Sequence, residues 1–361
     1  MRTETAVHDE GGEREQRLGE LRRERETTLA LALGAQTLAY GALYILPAAS
    51  TAAWWAALLL LIPFAAMRGL AAAVRRTAPP DAGRVWTYRA AALGMAALFW
   101  SNMAVCLLTL TELTHVFFFP RSRPFFIALS AALALGLGLP RSDTAVPNAV
   151  RFLCWFLLAA FAFCALTVAP SGEAGYLFPL AGHGAGHTLR CALRGAGGVW
   201  MAGALAVIEP REKAGPFLRP ALPGAAALAL VSLLMLACAW VLPGTRLNFD
   251  RGYALRLQLL TEMSPNTLSW SLMLLAEMLL FLVGFAACAD LMRTCLRRAF
   301  RAKSVPALPF ALACVPLAAR GMSASERALT ALLPWRYAVA AALSLLCLCG
   351  NLWYKRKGKK A

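Results

Sequence analysis

Residues 176–210 read YLFPLAGHGAGHTLRCALRGAGGVWMAGALAVIEP. The latter part is apolar enough for a membrane helix. Yet Gly182, Gly184, Gly186, Gly195, Gly197, Gly198 and Gly203 fall within 22 residues. Glycine destabilises a helix by about 1 kcal/mol relative to alanine, so regular winding is expected to fail near Gly195–Gly198. A break at membrane depth frees backbone N–H and C=O groups that lipid cannot satisfy. It survives only where it is buried in protein or lines a cavity. His183, His187, Arg190 and Arg194 stand in the same stretch. A charge at the bilayer centre costs at least about 2.5–3.5 kcal/mol. The two arginines are therefore expected to face a wet cavity, an interface or the bundle interior.

The surrounding chain supports a membrane setting. Of 361 residues, 59% are hydrophobic and 15% charged, and the mean hydropathy is +0.58. A soluble domain is about a quarter charged, so a soluble enzyme and a disordered chain are both excluded. Apolar runs of about 20 residues suit membrane helices. They occur near 28–48, 52–73, 88–110, 125–140, 147–169, 187–208, 221–243, 268–290, 305–319 and 331–353. The net charge is +17. With the N-terminus inside, about 25 basic residues fall in cytoplasmic segments and about 7 outside, the bias expected of a membrane protein. That bias accounts for the charge without nucleic acid. The domain reading is a charged cytosolic segment over 1–27, a transmembrane domain over 28–353 and a basic cytosolic tail over 354–361.

A second break has the same character. Residues 27–50 read TTLALALGAQTLAYGALYILPAAS, with Gly34 and Gly41 mid-run and Gln36, Thr37 and Tyr40 between them. Spans one and six are five apart in a set of ten. Secondary transporters place broken helices at matching positions of two inverted repeats, with the ligand between them. Close packing of small residues is the competing explanation. The expected fold is all-α and polytopic, about ten transmembrane helices in a 5+5 inverted repeat, with helices one and six broken. Span nine, with Pro306, Pro309 and Pro316, reads as irregular.

Candidate site residues follow from that geometry. Gln36, Thr37, Tyr40 and Gly41 come from the first break, and Gly195, Gly197, Gly198 and Trp200 from the second. Trp100 and Asn102 lie in span three. Glu277 in span eight is the best-placed intramembrane carboxylate, as a proton or cation site or as a partner for arginine. His183 and His187, four apart, lack a third metal ligand, so no metal is expected. The ten cysteines read as packing residues. No nucleotide loop, nucleophile motif or HExxH occurs, so neither catalysis nor a cofactor is expected.

Several stretches in order resemble spore-germination permeases, the B subunits of endospore germinant receptors, within the amino acid–polyamine–organocation superfamily. ALGAQTLAYGALYILPA (32–48) is similar to their first helix, with Tyr40-Gly41-Ala42 at the break and Leu46-Pro47 at the end. FPLAGHGAGHTL (178–189) resembles the approach to helix six, with His183 where glutamate is usual. LTELTHVFFFPRSRP (110–124), IEPREK (208–213) and DLMRTCLRRAF (290–300) resemble the loop after helix three and the exits from helices six and eight. Tyr40 stands where the family has glycine, Gly203 or Ala204 where helix six carries an acid, and Trp270 where helix eight begins with one.

The resemblance implies a receptor subunit in a cell membrane or spore inner membrane, with both termini cytoplasmic. It would bind a small germinant such as an amino acid at the midplane and signal to an A-type membrane protein and a C-type lipoprotein. Backbone N–H groups at Gly41 and Gly195–Gly198 would hold a carboxylate, because helix N-termini favour anions. Tyr40, Trp100 and Trp200 would shape the pocket. The alternatives are an autonomous proton-coupled amino acid or polyamine transporter, with Glu277 as proton carrier, and a ligand-free membrane scaffold.

Overall fold

The computed structural model describes residues 50–79, 82, 85–138, 170, 173–180, 182–208, 267–302, 304–320 and 335–358, with scattered helical positions within 152–166 and 226–236. Every described element is helical. The helices are α1 (Ala53–Leu59), α2 (Leu61–Thr77), α3 (Trp86–Phe117), α4 (Pro124–Gly138), α5 (Ala185–Gly195), α6 (Ala204–Ile208), α7 (Thr267–Phe300), α8 (Leu308–Ala319) and α9 (Trp335–Gly358). Four stretches are long and apolar enough to cross a membrane: Trp54–Thr77, Trp86–Phe117, Met278–Phe300 and Trp335–Arg356. The chain is an integral membrane protein. Expected spans two, three, four, six, eight, nine and ten have counterparts among these helices. Span one, with Gly34 and Gly41, lies outside the described residues, as do most of spans five and seven.

α3 is the axis of the bundle. Asn102–Thr111 are buried without interruption, so this part of the helix is covered on every side. Three of its threonines are satisfied locally. Thr109, Thr111 and Thr114 donate to the carbonyls of Val105, Leu107 and Leu110 four residues back, which makes them tolerable in an apolar core. Arg89 Nε donates to the Ala299 carbonyl at 2.8 Å, and Asn102 meets Cys288, so α7 runs antiparallel to α3. α9 runs antiparallel to α3 as well, and parallel to α2. Asn351 Nδ2 donates to Val74 O (3.1 Å), Thr77 Oγ1 (3.0 Å) and Tyr88 OH (2.9 Å). Fourteen residues away, Tyr337 OH donates to the Pro63 carbonyl at 2.9 Å.

Prolines behave differently at different helix positions. Pro63 lacks the N–H that would bond the Leu59 carbonyl, and its ring clashes there. The chain answers with a turn at Leu60 between α1 and α2, where Leu60 N–H bonds Ala57 O at 3.1 Å. α8 corrects the expectation of an irregular ninth span, since it is α-helical over Leu308–Ala319. Pro309 sits in its first turn, where an N–H has no partner to lose. Pro316 removes one bond from an otherwise intact helix. α7 and α9 outrun their expected apolar spans. α7 carries Arg293, Arg297 and Arg298 on its last turns, and α9 continues through residues 354–358 of the basic tail.

The sixth span is interrupted where its glycines suggest. Gly182 and Gly184 adopt positive φ (54° and 112°), a region glycine enters at little cost. The chain then turns into α5, where Thr188 Oγ1 donates back to Gly184 O at 3.1 Å. α-Winding stops at Gly195. Ala196–Gly198 and Trp200–Gly203 are 3-10 turns flanking Val199, and α-helix resumes at Ala204. The whole passage is buried.

Candidate functional site

The interrupted helix packs against α2, α3 and α9. Asn102 lies midway along α3 and is 3% exposed. Its Nδ2 donates to Cys288 Sγ at 3.0 Å, which fixes the amide against α7. Its Oδ1 accepts from Arg336 Nη1 at 3.1 Å, in the first turn of α9. Arg336 is 3% exposed, so it reaches neither lipid nor water by extending outward. Its Nη2 is buried without a hydrogen-bond partner, and among the described residues no carboxylate pairs with it. Asn102 is fourteen residues from Tyr88, about 21 Å along the helix at 1.5 Å per residue. Along α9 the same arginine stands in the first turn of the apolar stretch Trp335–Arg356.

One turn back on the same face of α3, Phe99 meets Trp200 with ring centroids 4.9 Å apart and planes at 54°. Such tilted pairs suit the quadrupoles of both rings. Trp200 is 0% exposed, and its indole Nε1–H is buried with no partner among the described residues. Residues three apart on a helix are neighbours. Phe99, which meets Trp200, and Asn102, which meets Arg336, thus stand one turn apart on α3. Gly203 lets the broken helix approach α2, because a Cβ there would lie 2.7 Å from Met67 Sδ.

The structure distributes the expected site residues unevenly. Gly195, Gly197, Gly198 and Trp200 line the buried interruption, with Asn102 beside it. The interruption is tightened into 3-10 turns and is not unwound. Val199 N–H bonds Ala196 O at 3.0 Å, Ala202 N–H bonds Val199 O at 3.1 Å, and Ala204 N–H bonds Met201 O. Those three donors are occupied internally, and the Trp200 side chain keeps an unsatisfied one. Trp100 points elsewhere, its Nε1 donating to the Phe310 carbonyl at 3.1 Å and tying α3 to α8. Glu277 lies on α7 eleven residues before Cys288, about 16 Å along the axis. Gln36, Thr37, Tyr40 and Gly41 lie outside the described residues.

At the approach to the interruption, His183 and His187 pack edge to face at 5.8 Å, and Arg190 is exposed with its Nε 3.4 Å from Gly186 O. Among the described residues no three His, Cys, Asp or Glu side chains gather as a metal cluster. Six of the described cysteines are buried and Cys349 is exposed. Arg336 is the residue that sequence reading passed over. An arginine inside an apolar run is itself the signal, since intramembrane charges are costly and mark functional positions.

No protein-family model matches the chain, and no curated protein matches it. Among solved structures, three variants of a manganese transporter from Eremococcus coleocola are similar at 13% identity and a TM-score of 0.45. In each case the match covers 89% of this chain and 78% of that one. A likeness at this level assigns neither fold nor cargo.

Proposed function

We propose that this membrane protein binds a small organic molecule at the interrupted sixth span and has no catalytic activity. The observation that carries the reading is the buried 3-10 passage Ala196–Gly203, whose own Trp200 has an unpartnered indole N–H and a ring set against Phe99, one turn along α3 from the Asn102–Arg336 pair. An unpaired charge and an unsatisfied indole N–H both disfavour burial among apolar side chains. Their coincidence supports a bound guest over simple helix packing. The finer form of the proposal rests on the resemblance to germinant-receptor permeases. The guest is then an amino acid-like germinant, and binding is passed to an A-type membrane protein and a C-type lipoprotein in a cell or spore membrane, with both termini cytoplasmic.

The test is binding of the proteinogenic amino acids to the purified protein in nanodiscs, with and without Gly198→Leu. Gly198 is buried in the interruption, so a leucine there fills the space of the guest. Binding that the substitution abolishes supports the proposal; binding that it leaves intact, or no binding at all, overturns it. Reconstitution into proteoliposomes then separates a receptor, which binds without net flux, from an autonomous transporter using Glu277. Co-purification with A-type and C-type subunits tests the signalling partners.

A further inference from the structure

We infer that the guest carries a carboxylate, and that Arg336 with Trp200 forms a subsite for that group. This deepens the binding proposal and rests on it. Arg336 is a fixed cation with five donors in a planar fork that matches a carboxylate. One arm is committed, Nη1 to Asn102 Oδ1. Asn102 is itself held by Cys288, so the guanidinium is positioned from behind by a neutral amide that leaves its charge unbalanced. The other arm, Nη2, is buried and unsatisfied. Trp200 adds an indole N–H, which can only donate, also buried and unsatisfied. Its ring is braced on Phe99, one turn from Asn102 on α3.

Two unsatisfied donors and one uncompensated positive charge share a chemical complement: a small group with two acceptor oxygens and one negative charge. A cation is repelled by the same charge, and a neutral ligand leaves it uncompensated. A hydrocarbon side chain satisfies neither donor. A free solute and an anionic lipid head group both carry such a group, and the assay separates these sources.

Wild-type protein is assayed by thermal shift and equilibrium dialysis in nanodiscs of zwitterionic lipid, against the proteinogenic amino acids, their carboxamides and the corresponding decarboxylated amines. A parallel set of discs contains phosphatidylserine or phosphatidylglycerol. The expected result is that at least one free carboxylate binds in zwitterionic discs while its carboxamide and amine do not. Loss of a charge-assisted hydrogen bond weakens binding by roughly 10- to 100-fold, so Arg336→Gln, which removes the charge, should do so. Arg336→Lys should retain part of the affinity. Trp200→Phe keeps the ring on Phe99 and removes the N–H, with an expected loss of a few-fold. It provides the readout if Arg336→Gln does not fold. Binding that depends on Gly198 but is equal for acid, amide and amine, or is unchanged in Arg336→Gln and Trp200→Phe, overturns the carboxylate subsite and leaves the binding proposal standing. Stabilisation by anionic lipid alone, lost in Arg336→Gln, supports the anion subsite and overturns the solute. Absence of any binding overturns both.

Discussion

Asn102→Leu replaces an amide by an isosteric hydrocarbon at the centre of the bundle. The substitution removes the acceptor of Arg336 Nη1 at 3.1 Å and leaves both arms of a 97%-buried guanidinium unsatisfied. A hydrogen bond to a charged group is worth about 1.5–3 kcal/mol, and a buried charge stripped of its partner lies at the upper end of that range. The lost contact to Cys288 Sγ adds a smaller term. Arg336→Met removes the charge itself, so its cost is the milder one of a carbonyl oxygen left without a donor. The double variant Asn102→Leu with Arg336→Met removes both polar groups and is expected within about 1 kcal/mol of wild type, because exchanging a buried polar pair for hydrocarbon is often neutral. Equilibrium unfolding in mixed micelles titrated with SDS measures all four proteins. The expected coupling is about 1.5–3 kcal/mol. If the two single costs add to within about 0.5 kcal/mol in the double variant, the two groups do not depend on each other and the centre of the site has been misread.

Gly203→Leu forces Met67 out of its place, since even a Cβ at 203 lies 2.7 Å from Sδ and 2.9 Å from Cγ. Overpacking of this kind costs about 1–3 kcal/mol, and adding Met67→Ala should recover part of it in a thermal melt followed by tryptophan fluorescence. Asn351→Leu removes three contacts that tie α9 to α2 and α3. At about 0.5–1.5 kcal/mol for each hydrogen bond, the SDS midpoint should fall clearly. Ligand affinity should hold, because the cluster is about 21 Å from Asn102 along α3. A fluorescent protein fused after Ala361 should be bright and an alkaline phosphatase at the same point inactive. The opposite pattern refutes the cytoplasmic placement of the basic tail.

Much of this molecule is legible along the chain. Hydropathy and span length are local properties, and they identify a helical membrane protein before any contact is known. The interruption at Ala196–Gly203 is local too, because glycines weaken the winding wherever the helix packs. A proline's effect depends on its position in a turn, which is why the ninth span is helical where its prolines suggest irregularity. Pro309 at a helix start is harmless, whereas Pro63 coincides with a turn at Leu60. What required the tertiary structure is the pairing of residues far apart in sequence. Arg336 reaches Asn102 across 234 positions and Trp100 reaches Phe310 across 210. Such meetings depend on how each helix is rotated about its own axis, and a helix buried all round, as α3 is over Asn102–Thr111, has no polar stripe from which that rotation can be read. Composition and periodicity thus place the chain in its solvent and locate the weak point of its sixth span. The packing of α3, α7 and α9 alone decides that an arginine and an indole stand beside it with donors to spare.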